Sequence, residues 1–199
     1  MTPTTPSLNA LANLYKTDKG DGVWDRHGYA VTYEALLRAR PSFREGRIAL
    51  LEIGLWDPRN PGASARMWRH FLGPKATLYG IDVVTDCLVL RAECNMNVVL
   101  VNQSDGEQLA KASVGMPLFD LIVDDGSHIG HHQTTALEVL WSRVAPGGYY
   151  AIEDLHAPQS AGKPEFDAVV RDRMAEPVSD PPLPPKLWVA RKQDKIKAR

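Results

Sequence analysis

"DLIVDDGSHIGHH", residues 120–132, begins as an apolar strand and ends in the paired carboxylates Asp124 and Asp125, a small turn and three imidazoles. The first half reads as a strand buried on both faces, as in a parallel sheet covered by helices. Four other runs read the same way: "ALLEIG" (49–54), "TLYGID" (77–82), "VVLVNQ" (98–103) and "YYAIED" (149–154). Each is nearly continuous in apolar residues, and several end in an acid or amide.

Helical segments fill the gaps. "SARMWRHFL" starts at Ser64, whose hydroxyl suits an N-cap. After the opening stretch, Ala136, Leu137, Leu140, Trp141 and Val144 share one helical face, and "PGG" (146–148) is expected to stop that helix. Repeated strand–helix–strand units imply right-handed crossovers and an α/β fold, a doubly wound, mostly parallel sheet of Rossmann-like type.

A chain of 199 residues suits one domain, 1–199, with a helical N-terminal cap or lid (1–48), an α/β core (49–192) and a basic tail (193–199). The 44% hydrophobic and 24% charged composition is that of a globular protein, and a net charge of -1 argues against general nucleic-acid or membrane-surface binding. Cys87 and Cys94 form neither a CxxC motif nor a disulfide framework. The start of the chain shows no basic flank followed by a long apolar run, so a cytoplasmic protein is expected. The expected partner is a small molecule or oligosaccharide, with self-association into a homo-oligomer. "PVSDPPLPPK" (177–186) should be an extended loop, "LWVA" (187–190) a last strand, and "RKQDKIKAR" (191–199) a solvated end.

Ligands of such a sheet bind beyond the carboxyl ends of the strands. Glu52 and Gly54 close the first strand, and "LWDPRNPGAS" (55–64) is not a GxGxxG loop. Asp82 ends the second strand, where a carboxylate is placed to accept hydrogen bonds from a ribose diol. Asp124 and Asp125 should face opposite sides of their strand. "GS" would then bring His128 back over the strand end. Asp125, Glu153 and Asp154 offer hard oxygen donors to one cation, which favours Mg²⁺ or Ca²⁺ over zinc. A cation acidifies a bound hydroxyl, and an imidazole, with an ordinary pKa near 6.5, takes up the proton. His27 and His156 are expected to line the pocket, His131 and His132 to sit on its rim, and His70 to be structural.

"LLEIG", "YGIDV", "DLIVDDGSH", "APGGYYAIED" and "NPGASARMW" resemble the class I S-adenosylmethionine-dependent methyltransferases, and among them the metal-dependent sugar O-methyltransferases of macrolide biosynthesis; the short chain also suits mycobacterial O-methyltransferases of methylated mannosides. "TDKG…HGY…YE" (17–34) is similar to the N-terminal cap of that group. The resemblance implies two cofactors, S-adenosyl-L-methionine and Mg²⁺. It implies that Glu52 and Gly54 hold the methionine part and Asp82 the ribose, with Ser64 a further expected cofactor contact. Gln103, Ser104 and Asp105 would lie at the adenine, with Asp124 on the cofactor side. It further implies Asp125, Glu153 and Asp154 as metal ligands, His128 with Asp125 as the catalytic pair, and His27, Tyr29 and His156 toward substrate. The family's C-terminal β-hairpin is reduced here to one obvious strand, so a sheet one strand short is expected.

The expected function is methyl transfer to a sugar hydroxyl of a mannoside or antibiotic deoxysugar. Catechol-type O-methylation is the nearest alternative. A metal-dependent hydrolase and a noncatalytic nucleotide-binding subunit are the alternatives of other classes.

Overall fold

The computed structural model describes residues 6–22, 27–178 and 180–194. In chain order these form α1 (Leu8–Tyr15), α2 (Tyr29–Arg38), α3 (Pro41–Arg44), β1 (Ala49–Ile53), α4 (Ala63–Leu72), β2 (Thr77–Asp82), α5 (Leu90–Glu93) and β3 (Met96–Leu100). Then follow α6 (Gly106–Ser113), β4 (Phe119–Asp124), α7 (Gly130–Leu140), β5 (Val144–Ile152), α8 (Lys163–Val170), β6 (Ala175–Pro177) and β7 (Trp188–Lys192).

The strands make one seven-stranded sheet in the order β3-β2-β1-β4-β5-β7-β6. All pairings are parallel from β3 to β5, and β7 runs antiparallel to both β5 and β6. Successive strand residues serve opposite faces. Leu50, Leu121 and Val123 pack with Leu8, Tyr33 and Trp68, whereas Leu51, Ile53 and Ile122 pack with Leu137, Leu140 and Phe166. Both faces are therefore dry, which is why the strands read as unbroken apolar runs. No helix among the described residues is long and apolar enough to cross a membrane.

Local chemistry sets the boundaries. Ser7 caps α1 by accepting from the Ala10 amide, and Pro164 sits in the first turn of α8, where its missing N–H costs nothing. Asp120 anchors the start of β4 to the N-terminal helices: Arg40, Ser42 and the Ala49 amide all donate to it at 2.7–3.0 Å. His70 behaves as a structural residue, with Nδ1 3.1 Å from the Tyr15 hydroxyl.

Three expectations are corrected. The sheet is not a strand short, because three residues, Ala175–Pro177, supply the missing edge. "PGG" does not separate helix from strand; it lies inside β5, where the pairing with β4 shifts register between Phe119 and Leu121. Val144 is consequently a strand residue. Ser64 does not cap α4 either. Gly62, at φ 71°, holds the N-cap position, and the Ser64 hydroxyl is used elsewhere. The last five residues of the basic tail lie outside the described residues, as does Ser179 of the proline-rich loop.

Candidate active site

Strand order reverses between β1 and β4, and the loops leaving these two strands part there. A cleft of about 850 Å³ opens at that point, walled by Gly54, Leu55, Trp56, Asp82, Gln103, Asp125, His128 and Asp154. Gly54 permits the close fit of the two loops. Its φ is 85°, and a Cβ there would lie 2.0 Å from the Asp125 carbonyl oxygen. The glycine is thus required by its neighbouring strand before any ligand is considered.

The two aspartates that end β4 do face apart. Asp124 is fully buried, accepting from Gln103 Nε2 at 3.1 and 3.2 Å and from the Gly126 amide. Burial pushes its carboxyl up to about 7. Gln103 in turn accepts from the Ser127 amide at 2.8 Å, so one amide side chain ties the β3 loop to the turn before His128. Asp125 faces the cleft and the N-terminal segment.

His128 crosses back over the strand end as expected. Its Nε2 stands 3.8 Å from Asp125 Oδ1 and 3.7 Å from Asp154 Oδ2. One donor atom from each of the three lies within 4.8 Å of the others, so a cation held by the two carboxylates would stand beside the imidazole. His128 and Asp154 both hold left-handed backbone, at φ 55° and 57°. Such conformations are costly for side chains with a Cβ and cluster where function requires them. The Tyr29 hydroxyl donates to Asp154 Oδ1 at 2.9 Å, leaving Oδ2 directed at His128.

Glu153 differs from the other two expected ligands. It is buried; its Oε1 accepts from Tyr33 at 2.6 Å and its Oε2 from Lys19 at 3.0 Å. Burial and the neighbouring Asp125 charge raise its pKa well above the carboxylate range, although Lys19 opposes them. Lys19 also lies 2.5 Å from Asp125 Oδ2 and 3.6 Å from Glu52 Oε1. Burial alone would lower the Lys19 pKa, but the carboxylates around it more than reverse that. Lys19 and Tyr33 are the residues that sequence reasoning missed; "TDKG" was the sole signal for the first.

The expected cofactor residues divide. Gly54, Ser64, Asp82 and Gln103 line the cleft. Glu52 does not: it is buried behind the wall, where Ser64 Oγ donates to it at 2.8 Å. Asp124 is likewise behind the wall. Ser104 turns its hydroxyl to Asn102, and Asp105 caps α6 through the Gln108 amide, so neither reaches the cleft. Asp82 is on the cleft but engaged. Its Oδ2 accepts from the Leu55 and Trp56 amides and its Oδ1 from those of Val83 and Val84, at 2.6–3.0 Å. Four amide donors converge on this carboxylate, so Asp82 clamps two strand-end loops at the cleft wall.

Among the expected substrate residues, Tyr29 is buried and serves Asp154. His27 is buried against it with ring centroids 5.0 Å apart, and the exposed His156 ring lies 5.6 Å from His27. His132 lies on the cleft rim with Nδ1 2.8 Å from Ser127 Oγ, and His131 is outside it.

The donor set fits a hard divalent cation. Asp125 and Asp154 supply carboxylate oxygens at one point, and more buried acid surrounds them than Lys19 alone offsets.

No protein-family model matches the chain. It is 32% identical over 170 residues to the 8-demethyl-8-alpha-L-rhamnosyl tetracenomycin-C 2'-O-methyltransferase of Streptomyces olivaceus, covering 84% of this chain and 42% of that protein. It is 33% identical over 157 residues to the demethylmacrocin O-methyltransferase of Streptomyces fradiae, covering 77% of this chain and 38% of that one. The chain thus spans about two-fifths of the length of these relatives. Among solved structures it is similar to the MycE methyltransferase of the mycinamycin biosynthetic pathway, in complex with Mg and SAH. The TM-score is 0.77 at 25% identity, over 98% of this chain and 57% of that one. With a sheet of this order and a cleft at its switch point, the chain is similar in sequence to these O-methyltransferases and in fold to the MycE methyltransferase.

Proposed function

We propose that the chain transfers a methyl group from S-adenosyl-L-methionine to a hydroxyl of a sugar, in a glycoside or oligosaccharide such as a mannoside or an antibiotic deoxysugar, with Mg²⁺ bound. The observation that carries the reading is the meeting of Asp125, Asp154 and His128 at the mouth of the cleft. The relatives add support: their names specify O-methylation of rhamnosyl, macrocin and olivosyl compounds, and one MycE structure holds Mg, SAH and mycinamycin VI. The free, buried thiols of Cys87 and Cys94 are compatible with a cytoplasmic setting.

When bound, the cofactor supplies an electrophilic methyl group on a positively charged sulfur, and the cation makes an acceptor hydroxyl more acidic. Asp125 and Asp154 would hold that cation, with Glu153 buried behind them. His128 accepts the hydroxyl proton at Nε2, the ring atom that faces both carboxylates. The neutral ring can do so only when its resident proton is on Nδ1. Nδ1 is buried and has no hydrogen-bond partner among the described residues. The turn fixed by Gln103 holds the imidazole in place, so the acceptor oxygen and the base meet in one orientation.

The test is transfer of a labelled methyl group to a panel of free sugars, mannosides and deoxysugar glycosides, with Mg²⁺ or with a chelator. The reading expects a glycoside product that disappears on chelation. Equal transfer in chelator, or transfer to catechols alone, would overturn it.

A further inference from the structure

We propose that Lys19 is a positioning residue that aims Asp125 at the cation; the inference rests on the metal-dependent reading above. Lys19 is fully buried and does not line the cleft, so it cannot touch a substrate there. Its ammonium has three N–H groups, and three carboxylates surround it: Asp125 Oδ2 at 2.5 Å, Glu153 Oε2 at 3.0 Å and Glu52 Oε1 at 3.6 Å. Fixing Asp125 Oδ2 leaves Oδ1 as the oxygen presented to His128 and Asp154. Glu153 is fixed at both ends, by Lys19 and by Tyr33. The charge that would drive these buried acids apart is offset from behind, and the Asp125 oxygen not bonded to Lys19 is left facing His128.

The backbone supporting Lys19 is itself held. Its carbonyl accepts from the Ala30 amide at 2.9 Å, which ties the loop to the first turn of α2. At the next residue, Gly20, a Cβ would lie 2.3 Å from Asn13 Oδ1, so the loop is packed closely against α1. The ammonium is thus placed by the N-terminal helices onto carboxylates from three different strand ends. A compact point charge on a flexible stem fits this enclosed position, whereas a planar guanidinium, with its donors spread over a fork, does not.

The experiment is Mn²⁺ binding to the full chain, measured by water-proton relaxation. Calorimetric binding of S-adenosylhomocysteine is measured in parallel on the wild type, Lys19→Met and Lys19→Arg. Residues that orient metal ligands typically contribute 10–100-fold to metal affinity, so Lys19→Met should weaken Mn²⁺ binding by about tenfold or more. Lys19→Arg should weaken it by about threefold or more. Binding of S-adenosylhomocysteine should fall by much less in both. Unchanged Mn²⁺ affinity in folded Lys19→Met would overturn the assignment, as would an equal loss of both ligands, which marks a purely structural role. Should Lys19→Met fail to fold, unchanged Mn²⁺ affinity in Lys19→Arg overturns it instead. A wild type that binds no Mn²⁺ would remove the metal-dependent reading itself and the role of Lys19 with it.

Discussion

The Gly54 backbone passes so close to Asp125 that a single added carbon would lie 2.0 Å from the Asp125 carbonyl oxygen. This contact joins the ends of β1 and β4 at the point where strand order reverses, and so fixes where the cleft-facing carboxylate starts. Gly54→Ala should therefore act twice. The left-handed φ of 85° and the backbone collision should cost on the order of 2–4 kcal/mol of stability, read from urea unfolding. Any protein that still folds should also have a displaced Asp125 and weaker Mn²⁺ binding. A Gly54→Ala variant with wild-type stability would show that the loops can part freely.

Asp82 gives the second prediction. Four backbone amides converge on its carboxylate. Asp82→Ala should strip all four of their acceptor and lower stability by about 2–4 kcal/mol, with cofactor affinity falling as the loops loosen. Loss of cofactor affinity at unchanged stability would instead identify Asp82 as a direct ribose ligand.

Asp124 gives a pH dependence. Burial raises its carboxyl from 3.8 to about 7, with Gln103 and the Gly126 amide opposing in part. The folded chain thus keeps this proton at pH values where the unfolded chain has lost it. The stability it contributes is full below about pH 3.8 and is lost as pH rises through about 7. Asp124→Asn cannot ionise, so its stability relative to wild type should grow between pH 5 and pH 8 by on the order of 2 kcal/mol in metal-free protein. Urea unfolding at several pH values checks this, and a difference independent of pH would contradict it.

Much of this was legible in the sequence, for identifiable reasons. β1, β2 and β4 are covered on both faces, so their residues had to be apolar throughout and stood out as runs. "DDGSH" and "IED" put Asp125, His128 and Asp154 at strand ends, and parallel pairing of β4 with β5 brings those ends together. Lys19 was not legible as a buried group. A lysine in a polar loop signals solvent, and its burial depends on carboxylates 106 and 134 residues away. Tyr33 reads as an ordinary core residue of an amphipathic helix, and nothing local shows that its hydroxyl holds Glu153. Asp82 was legible as a strand-end acid, but spacing does not show which backbone donors reach it. The edge strand Ala175–Pro177 has too few residues to show a period of two. "PGG" was misread because a glycine pair serves a bulge inside a strand as well as a turn between elements.

The base is tested most directly by the turnover of His128→Ala beside wild type under saturating cofactor, Mg²⁺ and a glycoside acceptor. The kcat should fall by roughly 10²–10⁴-fold, with affinity for S-adenosylhomocysteine held near the wild-type value. Turnover retained within a few-fold of wild type would contradict it, and would mean that the proton leaves by a route other than the imidazole facing Asp125 and Asp154.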